Sequence, residues 1–181
     1  RVLENMWMIQ QLRKKADQLQ SLVLLSQDIS GTRKFDEVLN TISREGLLLL
    51  GCRLSAFFLY DAKEDLLHLQ SLQDENGPRE YQEELRPGDS LLGSALRGHR
   101  QVQTRDLLRT EEHHFIDLIR SENLVSMLVT PVIFEDVPIG LITHYIDRPH
   151  RFHDDERMIA RALADLGAIA IENARLYSRV F

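Results

Sequence analysis

Along residues 2–26 one register of positions recurs at alternating spacings of three and four: Val2, Asn5, Ile9, Leu12, Ala16, Leu19, Val23 and Ser26. This is a narrow heptad seam, and the residues between, such as Gln10, Arg13, Lys14 and Asp17, suit a solvated face. Up to Ala16 so narrow a seam predicts a partner helix as its cover. Beyond Ala16 a coiled coil and an ordinary amphipathic helix on its own domain are evenly balanced. Gly31 stands where a left-handed cap would end this helix. A second helix is predicted from about Asp36 to Leu50, with Phe35, Val38, Leu39, Ile42, Leu47 and Leu50 as its apolar face and Gly51 after it.

The period then shortens. Ser55 to Tyr60 and Leu66 to Leu72 flank the polar turn DAKED and predict a β-hairpin. Gln73 to Gly88 is polar and reads as a long loop with a short irregular element around Tyr81. GDSLLGSALRGH predicts a short helix capped by Asp89 or Ser90 and stopped at Gly98, and QVQT a short edge strand. Glu111 to Ser121 has helical spacing in Phe115, Leu118 and Ile119, with its acidic residues at the start. LVSMLVTPVIF, the turn EDVP and IGLITHYI predict a second, largely apolar hairpin at the centre of a sheet. A last helix runs from Asp154. Hairpins separated by helices predict an α+β fold: an antiparallel sheet of five or six strands with helices on both faces. A parallel doubly wound sheet is disfavoured.

Composition narrows the function. The 181 residues suit one domain with an appended helix, drawn as 1–18 for the helix and 19–181 for the domain. A formal charge of −6 argues against sequence-independent nucleic-acid binding, which needs clustered Lys and Arg. The single cysteine, Cys52, excludes an intrachain disulfide and a multi-cysteine metal site, and predicts a reducing, cytoplasmic setting. No apolar run reaches the roughly 20 residues a membrane span needs, so no direct membrane insertion is expected. The first residue is Arg1 and no signal-peptide pattern follows, so the chain is expected to be a segment of a longer protein.

Catalytic candidates are thin. Cys52, between a helix end and a strand, reads as a small packing residue. His113 and His114 are adjacent and point apart on a helix, so they are poor partners for one ion. His150 and His153, followed by Asp154 and Asp155, are spaced more like ligands, yet they precede a helix, where capping by Asp154 is the better account. No metal site and no catalytic residue is assigned.

Four pieces in order resemble a GAF domain, the sensory module of bacterial and eukaryotic signalling proteins. They are LVLLSQDISGTRKFDEVLNTI, PGDSLLGSALRG followed by VQTRD, SMLVTPVIFEDVPIGLI, and RFHDDERMIARALADLGAIAIENARLY. The resemblance implies a bacterial-type, non-catalytic sensor, with first and last helices on one face of the sheet and a small-molecule pocket on the other. By position the pocket would be lined by Leu92, Thr104, Asp106, His114, Phe115, Leu118, Ser126 and Leu128, although a filled core is the simpler reading of each residue alone. Few polar groups there favour an apolar or aromatic ligand.

Departures from the family's patterns limit the ligand, whose identity stays unknown. Covalent bilin attachment would need a cysteine near the pocket helices, and none lies between Gly88 and Val129. The axial histidine of haem-binding relatives has no counterpart in SENLVS, and the cyclic-nucleotide pattern is broken at IDRPHRFHDDE. Relatives that reduce methionine sulfoxide use several cysteines. The resemblance further implies a homodimer through the terminal helices, by way of Ile9, Leu12, Ala16, Leu19, Val23, Ile169, Leu176 and Tyr177, with Gly167, Ala164, Ala168 and Ala170 permitting close helix packing. The alternative function is a ligand-free module for dimerisation and spacing.

Overall fold

The computed structural model describes the backbone over residues 3–14, 31–110 and 114–180, and the side chains over the same stretches except 31–34 and 177–180. A helix, α1, occupies residues 3–14. It is followed by α2 (Gly31–Leu50), β1 (Leu54–Asp61), β2 (Leu66–Asp74), β3 (Gly77–Pro78), β4 (Glu84–Leu85), α3 (Leu91–Gly98) and β5 (Val102–Thr104). Then come a 3-10 turn (Leu107–Arg109), α4 (Ile116–Ser121), β6 (Ser126–Phe134), β7 (Val137–Ile146) and α5 (Asp154–Val180).

The strands form one antiparallel sheet in the order β3-β2-β1-β7-β6-β5, with β4 also on β2. Both hairpins stand where the sequence places them. The β6–β7 turn holds Glu135 and Asp136 at φ 49° and 65°, the paired left-handed residues whose twist matches a two-residue hairpin. Among the described residues the sheet has seven strands rather than five or six, because the polar stretch after Asp74 contributes β3 and β4, two residues each. Elements that short carry no periodicity.

Period-two alternation splits the side chains between two cores. Phe57 of β1, Leu128 and Val132 of β6, and Ile142 and Ile146 of β7 join Leu39 and Ile42 of α2 and Ile159, Leu163 and Ala164 of α5. On the other side, Ala56, Phe58, Met127, Val129, Leu141 and Tyr145 pack under α3, the 3-10 turn and α4. The first is the helix face, the second the loop face.

Several helix boundaries differ from the sequence reading. Gly31 opens α2 instead of capping a preceding helix. Gly51 is the left-handed residue after α2, at φ 62°, and the Cys52 N–H donates to the Leu47 carbonyl at 3.0 Å, closing a Schellman-type end. Ser90 caps α3 by accepting from Gly93 N–H, and the left-handed residue that ends α3 is His99, not Gly98. The helix expected over 111–121 is described only from Ile116, because Phe115 sits at φ 52°, outside helical geometry; Glu111 and Glu112 lie outside the described residues. At the start of α5, Asp154 is already helical and pairs with Arg157. Glu156 reaches back instead, accepting the His153 N–H at 2.9 Å, the backward half of a capping box.

The expected seam also changes character. Leu12 is 5% exposed and belongs to the helix-face core of its own chain, and Ile9 lines a groove of about 390 Å³ with Met158, Leu166 and Ile169 of α5. The cover for α1 at Leu12 is therefore internal. Leu3, Met6 and Trp7 instead form the exposed apolar stripe, at 82%, 54% and 62%. Ala164, Ala168 and Ala170 are buried in the same intrachain core, so the small residues of α5 let it approach its own sheet. Ala16, Leu19 and Val23 lie outside the described residues, as does the side chain of Tyr177.

Candidate functional site

The loop face is organised around aromatic rings. Phe115 stacks on Phe58 with centroids 5.6 Å apart and meets Tyr81 edge-on at 5.4 Å. His114, beside it, tilts against Tyr145 at 6.0 Å, and its Nε2 lies 2.7 Å from Tyr145 Oη. Phe58, Phe115 and Tyr145 are fully buried and His114 nearly so. Stacked, tilted and edge-on contacts all occur among these rings, the arrangements that the charge distribution of aromatic rings favours.

Phe115 is held from below. Its N–H, at the N-cap of α4, donates to both oxygens of Glu83, at 3.0 and 3.2 Å. Burial pushes the Glu83 carboxyl above its ordinary value, while the Phe115 N–H and nearby His114 pull it back. The carboxylate thus ties a left-handed residue on the covering segment to the loop beside β4.

Leu92 and Leu118 lie in the same apolar cluster as Phe115, so four of the eight expected pocket residues, His114 among them, come together. Thr104 pairs with Met127 and shares its face, but its Oγ1 accepts from Asp106 N–H at 3.1 Å, and the Asp106 carboxylate meets Arg109 Nε at 3.2 Å. Those two residues shape a rim turn. Ser126 and Leu128 are on the wrong side for a loop-face pocket. Leu128 is in the helix-face core, and Ser126 Oγ donates to Arg148 O at 2.7 Å and accepts from His150 N at 2.8 Å. A one-residue shift along β6 exchanges the faces, and Met127 and Val129 are the strand's contribution to the loop face.

Residues the sequence reading passed over are Phe58, Tyr145, Thr143, Tyr81 and Glu83. Phe58, Thr143 and Tyr145 follow from strand alternation once one face is known. Thr143 alternates onto this face between Ala56 and Val129, and its buried Oγ1 has no hydrogen-bond partner among the described residues. Tyr81 and Glu83 come from an irregular loop and carry no pattern.

Other candidates settle into structural roles. His150 Nε2 lies 3.0 Å from Glu156, so that histidine belongs to the start of α5. Burial, with Glu156 adding to it, pushes the Cys52 thiol up to about 12, which leaves almost no thiolate at neutral pH. No group of three or more metal-ligating side chains occurs among the described residues, and no described helix is long and apolar enough to cross a membrane.

A family model described as GAF domain matches residues 32–172. The chain belongs to the GAF domain family. Solved structures agree on the fold. The GAF domain of an Acinetobacter phosphoenolpyruvate-protein phosphotransferase superposes with a TM-score of 0.69 at 13% identity, covering 94% of this chain and 95% of that one. A free methionine-R-sulfoxide reductase from Neisseria meningitidis, solved with its substrate, gives 0.68 at 20% identity over 91% and 90%. A GAF domain/HD domain protein from Geobacter sulfurreducens gives 0.63 at 22% identity, covering 78% of this chain and 94% of that one. No curated protein sequence matches significantly. GAF domains are a family of sensory and regulatory modules. That the reductase shares the fold means the fold alone does not decide between sensing and catalysis.

Proposed function

We propose that this GAF domain is a non-catalytic sensor that binds a small, largely apolar or aromatic molecule on the loop face and passes the event to its terminal helices. The carrying observation is the combination of an aromatic wall with few polar groups: Phe58, Phe115 and Tyr81 beside the His114–Tyr145 pair and the Thr143 hydroxyl. These rings are buried against one another, so a ligand takes the place of Phe115 on Phe58, stacks there and reads one or two polar atoms for specificity. The covering segment that begins at His114 and runs through α4 is anchored through Glu83 and Phe115, so a ligand that displaces Phe115 from Phe58 would release that anchor. Transmission then requires that the two arrangements differ in ligand affinity.

A homodimer through α1 and α5 completes the reading, supported by the exposed Leu3, Met6 and Trp7 stripe and by Leu176, 55% exposed. Catalysis has little support, since Cys52 is far from thiolate form and is the one cysteine in the chain. A second reading, a ligand-free module for dimerisation and spacing, is favoured by the stacking of Phe115 on Phe58, which fills the centre of the loop face with the protein's own rings.

Native mass spectrometry of the protein as purified, against its denatured mass, separates them. Mass in excess of chain multiples that is lost on denaturation and reduced by Thr143→Val supports the sensor. A bare dimer whose melting is unmoved by a panel of aromatic and aliphatic small molecules supports the spacer.

A further inference from the structure

On the opposite, helix face of the sheet lies a cleft of about 430 Å³, within the range of small-molecule sites. Three elements build it: the turn after α3 with His99, Arg100 and Gln101, β6 with Thr130, Pro131 and Ile133, and the first half of α5 with Arg157, Arg161 and Asp165. β5 pairs with β6 only as far as Val129, so this part of β6 extends past the short edge strand and leaves room beside it.

Its charge runs against that of the chain. In a protein of formal charge −6, three guanidiniums and one carboxylate face this cleft, a fixed balance of +2 (three minus one) before His99 is counted. Arg157 and Arg161 are four residues apart on α5, where like charges repel, with Asp165 one turn further on. Asp165 is the one acid in the lining; burial holds its carboxyl above the ordinary value while Arg161 draws it down. Asp154 pairs with Arg157 from outside the cleft and is 92% exposed, so solvent screens that pair.

The donors are also positioned in advance. Gln101 Nε2 donates to Thr130 Oγ1 at 3.0 Å and to the Arg157 carbonyl at 2.9 Å, while its Oε1 accepts from Arg161 Nε at 2.9 Å. The Arg161 head group is therefore fixed through its Nε, which leaves its terminal nitrogens as donors. Arg157 Nε is buried with no acceptor among the described residues. A planar fork held in this way matches the oxygens of a phosphate better than a mobile ammonium would.

We propose that this cleft is a second ligand site, for a small oxyanion of the phosphate or polyphosphate type, held by Arg100, Arg157 and Arg161 and oriented by Gln101. Occupancy offsets the Arg157–Arg161 repulsion and ties α5 to the exposed edge of β6. The site lies across the sheet from the aromatic cluster, so it stands or falls independently of the loop-face ligand.

The test is calorimetric titration of the whole chain with inorganic pyrophosphate at fixed ionic strength. One saturable site per chain is expected, weakened roughly tenfold or more by Arg161→Gln and by Arg100→Gln, as loss of a charge-assisted contact implies. Arg120→Gln, on α4 across the sheet, is expected to bind as the parent does. Melting curves confirm that each variant is folded. Absence of saturable heat at millimolar pyrophosphate, or equal affinity in Arg161→Gln and the parent, overturns the site; citrate binding as tightly as pyrophosphate overturns the phosphate-type assignment.

Discussion

Gly167 of α5 lies flat against the ring of Phe57 on β1: a Cβ at position 167 would stand 2.6 Å from both Cε2 and Cζ of Phe57. Phe57 is fully buried and central to the sheet, so neither partner has room to withdraw. The expected consequence for Gly167→Ala is a loss of about 1–3 kcal/mol from overpacking, read from denaturant unfolding. Adding Phe57→Leu should return part of that loss relative to the sum of the two single changes. Strict additivity would mean that the contact does not set the spacing of helix and sheet.

His144 of β7 makes acid a second probe of the same interface. Its ring abuts Gly46 of α2, it is fully buried, and neither nitrogen has a partner among the described residues. Burial alone lowers its pKa to about 4 from 6.5. The unfolded chain then binds a proton that the folded chain refuses between those values, so stability falls as pH drops from about 6.5 to about 4. The full effect approaches about 3 kcal/mol, at 1.36 kcal/mol per unit. His144→Leu should remove that slope without loss of stability at pH 7; a variant as acid-sensitive as the parent would exclude His144 as its source.

The two hairpins and α5 were legible because their patterns are long: eight to ten residues of alternating or continuous apolar character define a strand whatever surrounds it. Sidedness was not. Leu128 and Met127 are neighbours of similar hydropathy, and only the register with His144 and Tyr145 tells which faces the helices. The heptad spacing at Ile9 and Leu12 marks both as apolar but cannot say what covers them: α5, some 150 residues away in sequence, takes up Leu12 and leaves Ile9 on a groove. Glu83 was invisible for a related reason: its role depends on the left-handed turn at Phe115, and no local pattern distinguishes that residue from the helical spacing around it.

The Glu83–Phe115 bond gives a third expectation. Glu83→Ala leaves the N–H of a left-handed residue without its acceptor and should cost about 1–3 kcal/mol, the penalty for a buried donor left unsatisfied. The loss should be local. Amide exchange is expected to accelerate from Phe115 to Leu124 and to stay slow in β6 and β7. Uniform acceleration over the whole sheet would show that the covering segment is not a separable unit.

Cys52 offers a chemical check on the proposal that the domain is non-catalytic. With its thiol pushed up to about 12 against an ordinary 9, the thiolate fraction at pH 8 is roughly a thousandfold lower than for a free cysteine. Iodoacetamide should therefore label the folded protein far more slowly than the protein in denaturant. Equal rates would return Cys52 to consideration as a nucleophile.

The terminal helices give the last expectation, and the burial pattern decides which residues to change. Leu12 is covered by its own chain, so Leu12→Glu would damage the fold whether or not a dimer exists, and a monomer obtained that way would be uninformative. Leu3 and Trp7 are one turn apart on α1, are exposed, and belong to no core cluster. Charge placed there costs the single chain little, whereas two copies meeting along that stripe would bring like charges together in a drying interface. Leu3→Glu with Trp7→Glu should thus convert a dimer to a monomer by light scattering while the unfolding free energy, extrapolated to low protein concentration, stays within about 0.5 kcal/mol of the parent. A dimer that survives both charges places the interface elsewhere than the α1 stripe.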